Sequence, residues 1–388
     1  MDEKLIIRKF GPIENVELDI KKTVVFIGPQ SSGKSTIAKV LTIFRAIESF
    51  HDEALDSSFA DYMLSKYFRG NETYLKYISP NYSIEYNNEN WHVKLAEEFT
   101  KRLNEEKSRI KKLLDAFVDD RYKTDSEKER EDYKKAIYDR NWKHFLSILK
   151  KQIYIPAERI LTAMISDSGF TFNKVTLPGS LKHFGVQFED SQSRIKELKI
   201  EALNITYKLE EEGSEKGVRI YFDDSHSLSL AESSSGIQAL VPLQLVVENL
   251  TRTDIGYSFI IEEPELNLFP TAQKQTLQYL IAKSNHKNDL IITTHSPYIL
   301  SVLNNLLFAH TVSTISPEIE KKVAEIVPQI SWIDAETFSA YYLSGGSASS
   351  IFDTNTKLIS TNELDEISLD IAEERDELFD IYSAKSSN

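Results

Sequence analysis

Between Gly28 and Thr36 the chain reads GPQSSGKST, and no other stretch limits its possible folds so tightly. The spacing Gly28-x4-Gly33-Lys34-Ser35 lets successive backbone N–H groups turn inward around a chain of phosphates. Lys34 brings a positive charge to the β and γ phosphates, Ser35 offers a hydroxyl to magnesium, and a helix starting there adds its dipole. Ser31, Ser32 and Thr36 complete the loop. The flanks agree with this reading. TVVFI at 23–27 has the composition of a buried strand, and Ile37, Val40, Leu41 and Phe44 recur at helical spacing. Strand, glycine loop and helix open an α/β nucleotide-binding fold, with ATP and Mg2+ as the expected ligands.

Three later segments supply what hydrolysis needs. Ser258–Glu265, SFIIEEPE, is an apolar strand that delivers adjacent carboxylates to a sheet edge, in the manner of a Walker B strand. Glu262 is then the candidate for the magnesium shell, and Glu263 for orienting and deprotonating the attacking water. A strand ending in acids is common by itself; its place after the phosphate loop is what gives it meaning. His295 directly follows the strand LIITT, where it can contact a γ phosphate. Finally, Ser233-Ser234-Ser235-Gly236-Ile237-Gln238 opens a strongly apolar helix, and a serine-glycine helix start is a ready anion site.

Taken in order, GPQSSGKST, ESSSGIQ, IIEEPELNLFP and TTHSP resemble the ABC-type ATPases of the SMC, RecF and OLD grouping. The resemblance is greatest to OLD-like bacterial antiphage-defence ATPases of the Septu and PARIS kind. The charged amphipathic texture of 50–150 reads as a mainly helical insertion, an arm or lid, with a hairpin in which YSIEY and WHVKL flank Asn87-Asn88-Glu89-Asn90 and a second helix after Asp125, while ITYKL and VRIYF read as a later hairpin. The resemblance implies an α/β P-loop head of ABC type, carried by residues 1–49 and 151–388. It also implies a homodimer or higher homo-oligomer closed face to face on ATP. There Ser234 and Gly236 cap the partner's nucleotide, and Asn267 lies in the dimer-facing loop. YIPAER at 154–159 occupies the Q-loop position without its glutamine, leaving Glu158 or Arg159 to substitute. The signature departs from LSGGQ, with Ser233 at the leucine position and Ser235 at the first glycine.

Composition narrows the partners. The 388 residues contain no cysteine, which excludes disulfides, a catalytic thiol and the cysteine zinc hook used by some relatives. No apolar run approaches membrane-spanning length, and the N-terminus has no signal-peptide core, so a cytoplasmic location is expected. Full OLD proteins add a Toprim nuclease. The residues after His295 read as completion of the head plus an acidic helix at 363–380 docked on it. The expected role is therefore a sensor or scaffold controlling a separate effector, a nuclease or toxin.

The alternative is a RecF- or SMC-like DNA-repair ATPase. Its footprint would be Lys101, Arg102, Lys107, Arg109, Lys111 and Lys112, on a long helix carrying Phe99, Leu103 and Ile110. Those cations are interleaved with Glu97, Glu98, Glu105 and Glu106, and the net charge is −14, so a solvated helix face is favoured over DNA. A transporter motor ranks last, because its Q-loop lies much closer to the phosphate loop.

Overall fold

A computed structural model describes residues 3–46, 52–121, 150–166, 177–212, 215–284, 287–360 and 363–386. The second insertion helix expected after Asp125 lies outside them.

An 11-stranded sheet organises the chain, in the order β6-β5-β4-β1-β2-β15-β14-β3-β13-β12-β7. β1 (Glu3–Phe10) and β2 (Ile13–Ile20) form an antiparallel hairpin, and β3 (Thr23–Ile27) leads into the phosphate loop. β3 pairs in parallel with β13 (Asp289–Thr294) on one side and β14 (Phe338–Ser344) on the other. β13 pairs with β12 (Tyr257–Glu262), which pairs with β7 (Lys151–Ile155), again in parallel. β15 (Ser347–Ser350) turns back on β14 and bridges to β2. Buried on both faces, β3, β12 and β13 carry the continuous apolar runs expected of central parallel strands.

Side chains alternate across the sheet, dividing the core in two. Val24, Phe26, Ile260 and Ile291 face α1 (Lys34–Arg45), whose Ile37, Leu41 and Phe44 are buried against them. Val25, Ile27, Phe259, Ile261 and Ile292 face the opposite layer. That layer includes α5 (Gly179–Arg194), α6 (Ser235–Thr251), α7 (Pro270–Ser284) and α8 (Pro297–Ser313), named in a series that also holds α2 (Asp52–Asp61), α3 (Glu97–Arg121) and α4 (Ile160–Ser166). β8 (Glu197–Ile200), β9 (Ile205–Glu212), β10 (Glu215–Tyr221) and β11 (Ser227–Ser229) form a separate sheet in the order β11-β10-β9-β8, which contains the expected ITYKL/VRIYF hairpin.

Two expectations change. The hairpin in the 50–150 stretch does not stand on a separate helical arm: β4 (Tyr74–Ile78), β5 (Tyr82–Asn87) and β6 (Asn90–Leu95) extend the main sheet from β1. Phe10, Phe59, Phe68, Tyr86 and Trp91 pack edge to face or tilted between this extension and α2, tying it to the body. The acidic segment does form a helix, Glu363–Ser386, but it is not docked as expected: Ile371, Leu378, Phe379, Ile381 and Tyr382 are all more than 60% exposed.

Candidate functional site

The site is assembled by three neighbouring parallel strands whose C-terminal ends lie side by side, the usual ligand edge of an α/β sheet. Ile27 is in register with Thr294, and Thr293 with Glu262. The phosphate loop, His295 and the two glutamates therefore share one edge.

Loop geometry explains its glycines. Gly28 and Gly33 have φ of 149° and 102°, and Ser31 adopts the left-handed conformation at 61°. A Cβ on Gly28 would lie 2.1 Å from the carbonyl oxygen of Leu343, so β14 leaves room for hydrogen only. α1 begins directly after Gly33, which accepts from the Ile37 N–H at 3.0 Å. The N–H groups of Lys34, Ser35 and Thr36 are in the first turn, where a helix provides them no acceptor. Ser31 and Ser35 are exposed, Ser32 is half-buried, and Thr36 is buried.

The Lys34 ammonium donates to the carbonyls of Gly28 at 2.8 Å and Pro29 at 2.7 Å, and contacts Ser32 Oγ at 3.3 Å. Burial pulls its pKa down to about 8, against the opposing pull of Glu263, Glu262 and Glu265. The lysine thus faces the acidic edge.

Glu262 is buried at the end of β12. Its Oε2 accepts weakly from the Ala157 N–H at 3.4 Å, while buried Oε1 has no hydrogen-bond partner of good geometry among the described residues. Tyr154 lies beside the same carboxylate; burial, reinforced by Glu262, drives its phenol well above the ordinary value. An unsatisfied buried carboxylate oxygen next to the Ser35 hydroxyl's loop fits a divalent cation held partly by phosphate.

Glu263 has a left-handed backbone, φ 42°, unusual for a residue with a side chain. Three bonds to its main chain hold it: its N–H donates to Thr293 O at 2.9 Å, and its carbonyl accepts from Arg159 Nη2 at 2.6 Å and from the Leu266 N–H at 3.0 Å. Its half-exposed carboxylate reaches His295 Nε2 at 3.2 Å. Glu265 supports this pair from below: Oε1 accepts from Thr294 Oγ1 at 2.6 Å and from the His295 N–H at 2.9 Å. It is buried, and burial raises its pKa, so it faces inward and braces the histidine. Ser296 caps α8 and donates to Gln273 Oε1 at 2.7 Å, linking that helix to α7.

The signature serines stand at the start of α6. Ser234 is the N-cap of α6, but its exposed hydroxyl bonds none of the helix N–H groups, and Ser235 is exposed beside it. Ser233 instead turns inward, donating to Ser229 O at 2.8 Å. Gly236 is buried against the loop after β12: a Cβ there would lie 2.8 Å from Asn267 O. Asn267 itself is exposed, with φ 58°, and Phe269 nearby is 75% exposed.

The two Q-loop candidates are placed differently. Glu158 is exposed, while Arg159 is 1% exposed and turned into the protein. Its guanidinium donates to four main-chain carbonyls, those of Pro156, Ala239, Glu262 and Glu263. Sequence reasoning offered Arg159 only as a Q-loop substitute, because nothing in YIPAER shows which distant carbonyls its guanidinium meets.

Fold and site together define a P-loop ATPase domain. Residues 1–216 and 180–300 match the model of the AAA ATPase domain family, and the chain belongs to that family. No curated protein matches it. Among solved structures, an SMC head bound to the C-winged helix domain of ScpA is similar at 12% identity, with 90% of this chain and 96% of that chain covered and a TM-score of 0.47. The SMC head domain from Thermotoga maritima aligns at 13% identity over 90% and 98% of the two chains, with a TM-score of 0.41. An Smc head with extended coiled coil from Pyrococcus furiosus, bound to the C-terminal domain of ScpA, gives 12% identity, 96% and 98% coverage and a TM-score of 0.41. Among the described residues no helix is long and apolar enough to cross a membrane.

Proposed function

We propose that the chain hydrolyses ATP in a composite site, each nucleotide lying between the phosphate loop of one copy and the signature helix of another. The observation that carries the reading is the division of the site. Lys34, Glu262, Glu263 and His295 converge on one sheet edge, while Ser234 and Ser235 present free-standing hydroxyls at a helix start.

In this reading Lys34 and the α1 N–H groups bind the β and γ phosphates, and Ser35 with Glu262 holds magnesium. Magnesium, when bound, neutralises charge developing on the phosphate oxygens. Glu263 orients the water and takes its proton; His295, braced by Glu265, contacts the γ phosphate. Ser234 and Gly236 serve the partner's nucleotide. Glu263→Gln should slow turnover by at least about 100-fold while leaving ATP-dependent association intact. Normal turnover in that variant, measured by phosphate release beside size-exclusion chromatography, would move the base elsewhere.

The motif order further supports an OLD-like role as an ATP-gated sensor or scaffold for a separate nuclease or toxin in antiphage defence. For the DNA-clamp alternative the helix at 97–121 is the relevant surface. There Arg109 is paired with Glu106, and Lys101 lies 4.0 Å from Glu105, so cations that would meet phosphates are partly neutralised within the helix.

A further inference from the structure

Arg159 joins three elements, α6, the turn after β7 and the end of β12, through one guanidinium. Nε donates to Ala239 O in α6 at 2.9 Å, Nη1 to Pro156 O after β7 at 3.1 Å and to Glu262 O at 2.7 Å, and Nη2 to Glu263 O at 2.6 Å. A buried guanidinium leaves a large desolvation cost to be offset, and here its fork is filled by carbonyls, with the carboxylates of Glu265, Glu263, Glu262 and Glu158 near enough to stabilise the charge. The acceptors are specific. Pro242 has no N–H, so Gln238 loses its usual intrahelical donor, and Arg159 takes the next carbonyl along, that of Ala239, at this weakened turn. On the other side, the carbonyl of Glu263 belongs to the residue with the left-handed backbone.

We infer that Arg159 is a positioning residue that locks the signature helix and the end of the catalytic strand into one unit. The half-site a chain offers to its partner's nucleotide then moves with the half-site holding its own. Gly236 against Asn267 O gives the same two elements a second, close-packed contact. The inference rests on the composite-site reading and adds to it a path within each chain, by which occupation of one nucleotide site alters the other.

The test is Arg159→Lys in the full chain. A single ammonium keeps the charge but cannot span four carbonyls. Nucleotide affinity should stay within about twofold of the native value, kcat should fall about tenfold, and a Hill coefficient for ATP near about 2 should drop towards 1. A split between kcat and affinity, with lost cooperativity, is not what simple destabilisation produces. Unchanged kcat and Hill coefficient overturn the inference. Glu263→Gln, assayed alongside, separates the claims: normal turnover there overturns the general-base reading and the coupling with it, whereas a slow Glu263→Gln beside a native-like Arg159→Lys overturns the coupling alone. Should Arg159→Lys not fold, amide exchange on the unaltered chain decides, at concentrations where it is monomeric. A non-hydrolysable ATP analogue should slow exchange at Ser235–Ala239 and Glu262–Leu268 together; protection of either segment alone overturns the inference.

Discussion

Gly236→Ala sets two effects of opposite sign against each other at the signature helix. Alanine favours a helix interior by about 1 kcal/mol over glycine, and by less near the N-terminus. Against this, the new Cβ would be 2.8 Å from Asn267 O, a backbone atom in a turn held by the Leu266 and Leu268 N–H bonds to Glu263 O and Glu265 O. Relief requires about half an ångström of retreat, and forced overpacking of this kind costs about 1–3 kcal/mol. The clash should win by about 1 kcal/mol, lowering Tm by about 1 °C in a chain of this length. Turnover should suffer more, falling about tenfold, because the displaced helix start carries Ser234. Gly217→Ala is the control: its Cβ meets no heavy atom within 4 Å, and stability should hold within about 0.5 kcal/mol. Scanning calorimetry and phosphate release on both variants measure the effects. A Gly236→Ala protein that melts at or above the native temperature with unchanged turnover would refute the packing argument.

Two further perturbations probe the sheet's opposite edges. With its pKa near 8, Lys34 loses its ammonium as pH rises through that value, so ATP affinity should weaken about tenfold per unit above it. Because the folded pKa lies below the ordinary 10.5, the unfolded chain holds the proton longer, and nucleotide-free stability from this group rises between about 8 and 10.5. Titration calorimetry from pH 7 to 9.5 checks the first trend; an affinity flat across that range contradicts it. At the far edge, Arg45 is buried with Glu3, Asp289 and the Ser258 hydroxyl. Arg45→Met takes the counter-ion from Glu3 and leaves Asp289 with Lys150, and should cost about 3 kcal/mol in urea unfolding, with ATP affinity unchanged in the folded protein. Equal stability would show that the cluster is dispensable.

Local pattern revealed the chemistry better than the layout. TVVFI, SFIIE and LIITT are strands because their runs are short, apolar and ended by polar turns, and each leads directly into residues that the site uses. Pairing partners were hidden. A strand's own alternation shows which face is buried but not which strand lies beside it, so nothing in 74–95 announced that three strands would extend the sheet from β1. Arg159 was illegible for the same reason: all its acceptors but Pro156 lie far along the chain, 80, 103 and 104 residues on. At 363–386 helical periodicity identified the helix, but periodicity cannot tell a docked apolar face from one left open.

β3 stands between strands that begin at Asp289 and Phe338, although its own residues are among the first to be made. During synthesis, then, the phosphate-loop strand has no sheet neighbour on either side until most of the protein has left the ribosome. Gly28 meets Leu343 only when β14 arrives. Nucleotide binding is therefore a late acquisition of the nascent chain, and a fragment stopped before Phe338 leaves TVVFI with an open, apolar edge on its β14 side, prone to pairing with other chains.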